Sequence, residues 1–236
     1  MATPTIVLVH GAFADAASWA PVTRELLDRG YAVRVPASYN RSLVDDAAYI
    51  REFVEQIEGP VVLAGHSYGA GVAGVAGLAS NVVGLVAVAG YVLEEGETLG
   101  QLQGRFPDSP LAPNLVLSDV STEGTGKDVT VNIAEFPAIF AKGLDPAVAE
   151  VLAVSQRPLF AGVFDEPAPA LAWTSLPSWG IVSAADRTIN PDVERFGYQR
   201  AGFREVVELD APHLVMQTHP KDVADLIERA VKGSSS

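Results

Sequence analysis

One uncharged stretch constrains the fold of this chain more than any other feature. Residues 59–93 contain no Asp, Glu, Lys or Arg, but they contain eight glycines. A membrane-spanning helix is one structure that such a stretch can form. Two runs rich in β-branched residues, 60–64 and 82–88, flank a central part made of small residues. This pattern favours a buried strand–helix–strand unit, because central strands of a parallel sheet are apolar on both faces.

Strand and helix patterns alternate on both sides of this unit. The other predicted strands are residues 5–10, 31–35, 179–183 and 204–209. The predicted amphipathic helices are residues 19–30, 43–57, 191–200 and 220–231. This alternation predicts an α/β fold, in which a mostly parallel central sheet carries helices on both faces and right-handed crossovers join the strands.

The alternation is interrupted between residues 94 and 172. Prolines and phenylalanines are frequent there, and Asp145-Pro146 is typical of a helix start. We expect an insertion of short helices rather than further strands. The core then comprises residues 1–93 and 173–232, and residues 233–236 are predicted to be a disordered tail.

The composition excludes several classes of function. A formal net charge of −13 argues against nucleic acid or an anionic membrane as a partner, because both bind clustered Lys and Arg. The chain has no Cys, which excludes disulfides, thiolate metal sites and cysteine nucleophiles. No basic residue precedes the first apolar run, so no secretory signal is predicted and the cytoplasm is the default location. We expect no metal and no organic cofactor.

The motif with the clearest chemical meaning is Gly-His-Ser-Tyr-Gly at residues 65–69. It lies where a predicted strand must turn sharply into the small-residue helix. A G-x-S-x-G sequence in that context is a nucleophile elbow, which raises the serine hydroxyl above the sheet at a helix N-terminus. If the residues two before and two after Ser67 carried side chains, we expect that these would collide at the turn. Both positions therefore need glycine. The alternative is a glycine-rich turn that only packs helix on sheet.

A serine nucleophile needs a general base and a group that orients it. His213 follows the last predicted strand, whereas His219 starts the last helix and is expected to cap it. We therefore predict His213 as the base. For the acid we favour Asp186, which follows the strand at residues 179–183. The competing acids are Asp210, Glu94 and Glu95.

Two backbone N–H groups are needed to bind the oxyanion. One is expected from Tyr68, and the other from the loop after the first strand, residues 10–13. His10 and His66 are predicted to have structural roles, with side chains that hydrogen-bond the backbone of the two loops.

Together these residues resemble the α/β-hydrolase superfamily, and most closely its small carboxylesterases of the plant esterase and pyrethroid hydrolase type. The resemblance covers nearly the whole chain, from residues 8–13 through the elbow to Asp186 and His213. It implies that Ala12 supplies the first oxyanion N–H and that residues 94–172 form a cap over the active site. One departure is Ala70, where many relatives have a second glycine; no consequence is expected.

The expected activity is hydrolysis of a small, neutral, apolar ester through an acyl-enzyme on Ser67. The candidate substrate-binding residues are Phe13, Phe136, Phe140, Phe160 and Leu214. Hydroxynitrile lyases of the same group carry a Lys directly after the histidine, and Leu214 occupies that position here. Haloperoxidase or perhydrolase activity on the same triad, lyase-like chemistry, and non-catalytic binding of a small molecule are the alternatives.

Overall fold

The structure, a computed structural model, describes residues 2–120 and 126–234. Its strands are β1 (Thr5–Val9), β2 (Val33–Arg34), β3 (Val61–His66), β4 (Val82–Val88), β5 (Leu115–Val120), β6 (Gly126–Val131), β7 (Leu159–Phe160), β8 (Ser178–Ser183) and β9 (Glu205–Leu209). Six of them form one sheet in the order β2-β1-β3-β4-β8-β9, and every neighbouring pair is parallel. The predicted α/β fold with a parallel central sheet is confirmed.

Helices lie between and after these strands along the chain. They are α1 (Ala20–Asp28), α2 (Leu43–Glu55), α3 (Tyr68–Ala76), α4 (Leu99–Gln103), α5 (Phe136–Ile139), α6 (Pro146–Val154), α7 (Pro191–Arg200), α8 (Val215–Thr218) and α9 (Pro220–Gly233), with 3-10 turns at Ala16–Trp19, Ala112–Asn114 and Ala161–Phe164. Helix α1 packs against α9, and α2 packs against α3. The apolar face of α9 lies on β4 and β8, where Leu226 and Ile227 are fully buried.

The uncharged stretch forms the centre of the molecule. Strand β3 is buried along its whole length, and α3 is buried apart from partial exposure of Val75. Small residues let α3 approach the sheet and α2 closely, which explains the many glycines and alanines. Within the described ranges, no helix has both the length and the apolar character that crossing a membrane requires.

The insertion, residues 94–172, differs from the prediction of short helices only. It contains α4, α5 and α6, but β5, β6 and β7 also form a small antiparallel sheet. The helical-cap prediction is therefore wrong in this respect. A sequence signal was present, because residues 115–120 and 126–131 are rich in β-branched and apolar residues.

The predicted disordered tail is also wrong at its start. Gly233 is the last residue of α9, and the Ser234 hydroxyl donates to the carbonyl of Ala230 at 2.8 Å. Residues 235 and 236, which belonged to the same prediction, lie outside the described residues.

One carboxylate ties the insertion to the core. Glu166 accepts hydrogen bonds from the Ser42 hydroxyl (2.7 Å) and from the Leu43 backbone N–H (2.6 Å) at the start of α2. Ser42 is the N-cap of α2, and its hydroxyl accepts from Asp45 N. Glu166 thus binds a free N–H group at the positive end of the helix dipole.

We predict that Glu166→Ala lowers the free energy of unfolding by about 1 kcal/mol, because it removes a charged acceptor from a helix N-terminus. Urea denaturation measures the change. The control is Asp165→Ala, which removes an exposed neighbouring carboxylate that makes no side-chain hydrogen bond among the described residues. Equal effects of the two substitutions would contradict this role of Glu166.

Candidate active site

Ser67 occupies a sharp turn between β3 and α3. Its backbone angles, φ 55° and ψ −125°, are rare for a residue other than glycine. Its N–H donates to Val88 O at 3.1 Å, and its carbonyl accepts from Ala70 N (3.1 Å) and Tyr91 N (3.2 Å). These bonds from β4 and α3 hold the strained conformation. Because Tyr68 is the first residue of α3, the serine lies at the positive end of a helix dipole.

Two glycines make this turn possible by close approach. A Cβ at Gly65 would lie 2.2 Å from the carbonyl oxygen of Gly69. A Cβ at Gly69 would instead lie 2.4 Å from the carbonyl oxygen of His10. The expected collision across the turn therefore applies to Gly65, whereas Gly69 is needed because the end of β1 passes beside it.

Asp186 and His213 are joined directly. His213 Nδ1 lies 2.6 Å from Asp186 Oδ2, and both side chains are fully buried. Asp186 Oδ1 accepts from the backbone N–H groups of Thr188 (2.6 Å) and Ile189 (3.1 Å). Asp186 follows β8 and His213 follows β9, and these strands are neighbours in the sheet. This arrangement orients the imidazole with Nδ1 on the carboxylate and Nε2 free.

His66 connects the serine turn to the loop of His213. His66 Nε2 donates to the carbonyl of His213 at 2.9 Å, and the two rings lie 4.6 Å apart. Burial, together with the neighbouring His213, lowers the pKa of His66 well below its ordinary value, so His66 is neutral. His10 bonds the backbone similarly, with Nδ1 at 2.9 Å from Gly11 O and Nε2 accepting from Ser38 N. Both histidines have the contacts that the structural prediction required.

The hydroxyl of Ser67 and His213 Nε2 are not hydrogen-bonded to each other in this structure. Nε2 is buried and has no partner among the described residues. Such bonds are often long in enzymes without substrate and tighten when substrate binds. The structure thus brings Asp186 and His213 into contact and packs the His213 loop against the residue before Ser67.

Two backbone N–H groups lie beside the serine. Tyr68 N–H is the first of α3, and within the described ranges neither it nor Ala12 N–H donates to the protein. Ala12, Ser67 and Tyr68 all line one cavity of about 300 Å³. Both residues line the cavity together with Ser67, and their N–H groups have no acceptor among the described residues, which an oxyanion hole requires.

The cavity is mainly apolar. Besides those three residues it is lined by Phe13, Tyr91, Leu99, Gly100, Gln103, Gly104, Asp108, Leu111, Ala112, Leu115, Leu159, Phe164 and Thr188. Sequence reasoning missed most of these residues, since their side chains come from the insertion. Tyr91 has a recognisable signal, because it follows the carboxyl end of β4. Its hydroxyl donates to Gln103 Oε1 at 2.7 Å.

Of the five predicted substrate-binding residues, only Phe13 lines the cavity. Phe136 and Phe140 are buried against each other, with ring centroids 4.9 Å apart, and Phe140 also contacts the His213 ring edge-to-face. Neither residue is among those that line the cavity in this structure.

Phe160 and Leu214 are also absent from the cavity wall. The ring of Phe160 covers Gly126 and Gly162, where an added Cβ would meet it at 2.3 and 2.6 Å. Leu214 is buried in the core at the start of α8.

The other candidates for the acid and the base have different surroundings. Glu94, Glu95 and Asp210 are exposed, and Glu94 pairs with Arg200 at 3.5 Å. His219 precedes α9, and its Nδ1 contacts the Thr218 hydroxyl at 2.8 Å. Across residues 2–120 and 126–234, no group of three or more His, Cys, Asp or Glu side chains could hold a metal ion.

We predict that Gly65→Ala destabilises the protein by about 3 kcal/mol, because the added methyl group meets backbone atoms that cannot move aside. Thermal unfolding measures the change. Gly71→Ala in α3 is the control, since its Cβ would meet only Leu43 Cδ1, at an ordinary 3.5 Å, and Leu93 Cδ1, at 3.8 Å. Alanine there is expected to be neutral or to stabilise the helix. Equal tolerance of both changes would contradict the close approach at Gly65.

Comparisons with known proteins agree with the fold described above. The solved structures most similar to the chain include a polyneuridine aldehyde esterase, with 17% identity, a TM-score of 0.84 and 100% of both chains covered. A pyrethroid hydrolase has 22% identity and a TM-score of 0.77, with 99% of each chain covered. A methylesterase from Arabidopsis has 15% identity and a TM-score of 0.80, with 98% of this chain and 99% of the other covered.

These neighbours share the fold of the chain. No curated protein sequence matches the chain significantly. The sequence model described as the alpha/beta hydrolase family matches residues 6–226, which is almost the whole chain. The chain therefore belongs to the alpha/beta hydrolase family.

Proposed function

We propose that this protein is a serine hydrolase that cleaves carboxylic esters of small, neutral, apolar molecules. The observation that carries the proposal is the buried Asp186–His213 pair, whose free Nε2 belongs to a loop packed against the strained turn of Ser67. A strained serine, an oriented imidazole and two free N–H groups are the parts that acyl transfer needs. The esterases among the similar structures support ester substrates.

The reaction proceeds in two halves. His213 Nε2 accepts the proton of Ser67 as its Oγ forms a bond to the ester carbonyl carbon. The carbonyl oxygen becomes an oxyanion that accepts hydrogen bonds from Ala12 and Tyr68 N–H. The carbon–oxygen bond of the ester then breaks, and His213 gives its proton to the leaving alcohol. Asp186 stabilises the imidazolium and holds its tautomer throughout.

Water completes the cycle by the same route. His213 removes a proton from water as the water oxygen attacks the acyl carbon on Ser67. The second oxyanion collapses, Ser67 recovers its proton from His213, and the carboxylic acid leaves. The buried Leu214 follows the histidine, so the ammonium group expected of the related hydroxynitrile lyases is missing at that position.

The walls of the cavity indicate the substrate class. None of its lining residues is Lys or Arg, and Asp108 is its one charged member. An apolar acyl group gains free energy on entering such a space, whereas a carboxylate loses its hydration without a cation to replace it. The Tyr91–Gln103 pair offers the Gln103 amide N–H as a donor to a substrate oxygen.

We predict that Ser67→Ala and His213→Ala each lower kcat for p-nitrophenyl esters by several powers of ten. Asp186→Asn is expected to lower kcat by about 10⁴-fold. A fluorophosphonate should label Ser67, as identified by peptide mass spectrometry. The control is His219→Ala, which removes the other histidine after the elbow and is expected to retain activity. Full activity in Ser67→Ala would refute the proposal, and a folded protein that neither labels nor hydrolyses would be a binding module.

We also predict that p-nitrophenyl butyrate has at least about tenfold higher kcat/KM than the p-nitrophenyl monoester of succinic acid, which has the same number of acyl carbons but a terminal carboxylate. Asp108→Asn is expected to narrow this ratio by removing the like charge in the wall. A preference for the charged ester would contradict the assignment of the cavity to neutral acyl groups.

A further inference from the structure

A second carboxyl group is buried beside the acid of the site. Glu194 lies in the first turn of α7, and its side chain is fully buried. Oε2 accepts from the Ser183 backbone N–H at 2.9 Å, at the end of β8. Oε1 is buried and receives no N–H or O–H donor from the described residues. The chemistry outlined above does not use this group.

Glu194 and Asp186 are both held by the backbone of Ser183, whose N–H donates to Glu194 and whose carbonyl accepts from the Asp186 N–H at 3.1 Å, so the two buried carboxyl groups lie at the same end of β8. A hydrogen bond between two carboxyl groups requires a proton on one of them, because two ionised groups at hydrogen-bonding distance repel each other. Asp186 receives three hydrogen bonds, from Thr188 N, Ile189 N and His213 Nδ1, whereas Glu194 receives one. Donors favour the ionised form. The negative charge therefore belongs on Asp186 and the proton on Glu194.

The other charged and titratable groups near Glu194 do not change this assignment. Arg195 is on the same helix, but its guanidinium pairs with Asp192 and Glu208 at the surface. The Tyr198 hydroxyl donates to Ile181 O and accepts from Gly90 N, and Tyr91 donates to Gln103. Burial, with the charge of Asp186, raises the pKa of Glu194 well above its ordinary value.

We infer that Glu194 is a positioning residue of the active site: a neutral carboxylic acid that donates a hydrogen bond to Asp186 and so helps to hold the carboxylate against His213. The kinetic part of this inference rests on the proposed hydrolase function. The arrangement keeps one net negative charge in a site that buries two carboxyl groups.

Infrared spectroscopy tests the position of the proton without any need for activity. A neutral carboxylic acid has a carbonyl band separate from those of amides and carboxylates. We expect such a band at pH 7 that is lost in Glu194→Gln and kept in Asp186→Asn. Absence of a band that responds to Glu194→Gln, or its loss in Asp186→Asn alone, would overturn the inference. If the band behaves as expected but no ester is cleaved, only the proposed function fails.

The pH dependence of stability gives a second readout. Because the folded protein holds a proton on Glu194 that the unfolded chain releases above about pH 4.3, the free energy of unfolding should fall as the pH rises above that value. Glutamine has no proton to lose, so Glu194→Gln should be the more stable protein at neutral pH, by a margin that grows with pH. A margin that does not change between pH 4 and 8 would overturn the inference.

Kinetics test the positioning role. Glu194→Gln keeps a donor for Asp186 and an acceptor for Ser183 N–H, and we expect it to retain most of kcat. Glu194→Leu removes both and should lower kcat about tenfold with little change in KM, since a hydrogen bond to a charged group is lost. In the Asp186→Asn background the same Leu substitution should have little further effect, measured as the rate of fluorophosphonate labelling. If Glu194→Leu instead lowers the rate by the same factor with Asp186 and with Asn at position 186, its effect does not act through Asp186, and the positioning role is overturned.

Discussion

The backbone at Ser67 is held in a conformation that it would not adopt by itself, and the rest of the site depends on this constraint. Contacts with the parallel sheet hold this conformation. Strand β4 contributes Val88 O and leads to Tyr91 N, both of which bond the serine, while the end of β1 runs so close that residue 69 must be glycine. A strained residue persists only where its surroundings determine it from several sides, as they do here.

The same packing places the other groups. Neighbouring parallel strands end at one edge of the sheet, so the loop after β1 and the start of α3 bring the N–H groups of Ala12 and Tyr68 to one cavity. Asp186 and His213 follow β8 and β9 at that edge and meet at 2.6 Å. Ser67 and the two donor residues thus share one cavity with no Lys or Arg in its lining, and the His213 loop packs against the residue before Ser67. Charge in the site is limited further by the protonated carboxyl that we assign to Glu194.

Those parts of the site that follow strand ends could be predicted from local sequence. Helix α7 begins and ends at the predicted residues because Asn190 caps it and Pro191 starts it, and β4 also has its predicted bounds. The insertion was harder to predict. Its strands are exposed on one face, which weakens their apolar pattern, and its frequent prolines suggest short helices. Side-chain partners were also hard to predict. The position of Phe140 in the sequence indicates an apolar contact but does not reveal that its ring contacts His213. The bond from Ser183 N–H to Glu194 joins α7 to the end of β8, and the local sequence does not reveal this pairing.

The central claim is that the serine, the imidazole and the two backbone donors act together on one ester group of the substrate. A crystal structure of the phosphonylated protein tests it most directly. The account predicts phosphorus bonded to Ser67 Oγ, one phosphonyl oxygen about 2.7–3.1 Å from both Ala12 N and Tyr68 N, and His213 Nε2 within hydrogen-bonding distance of a second oxygen. An adduct on another residue, or an oxygen directed away from both N–H groups, would contradict it.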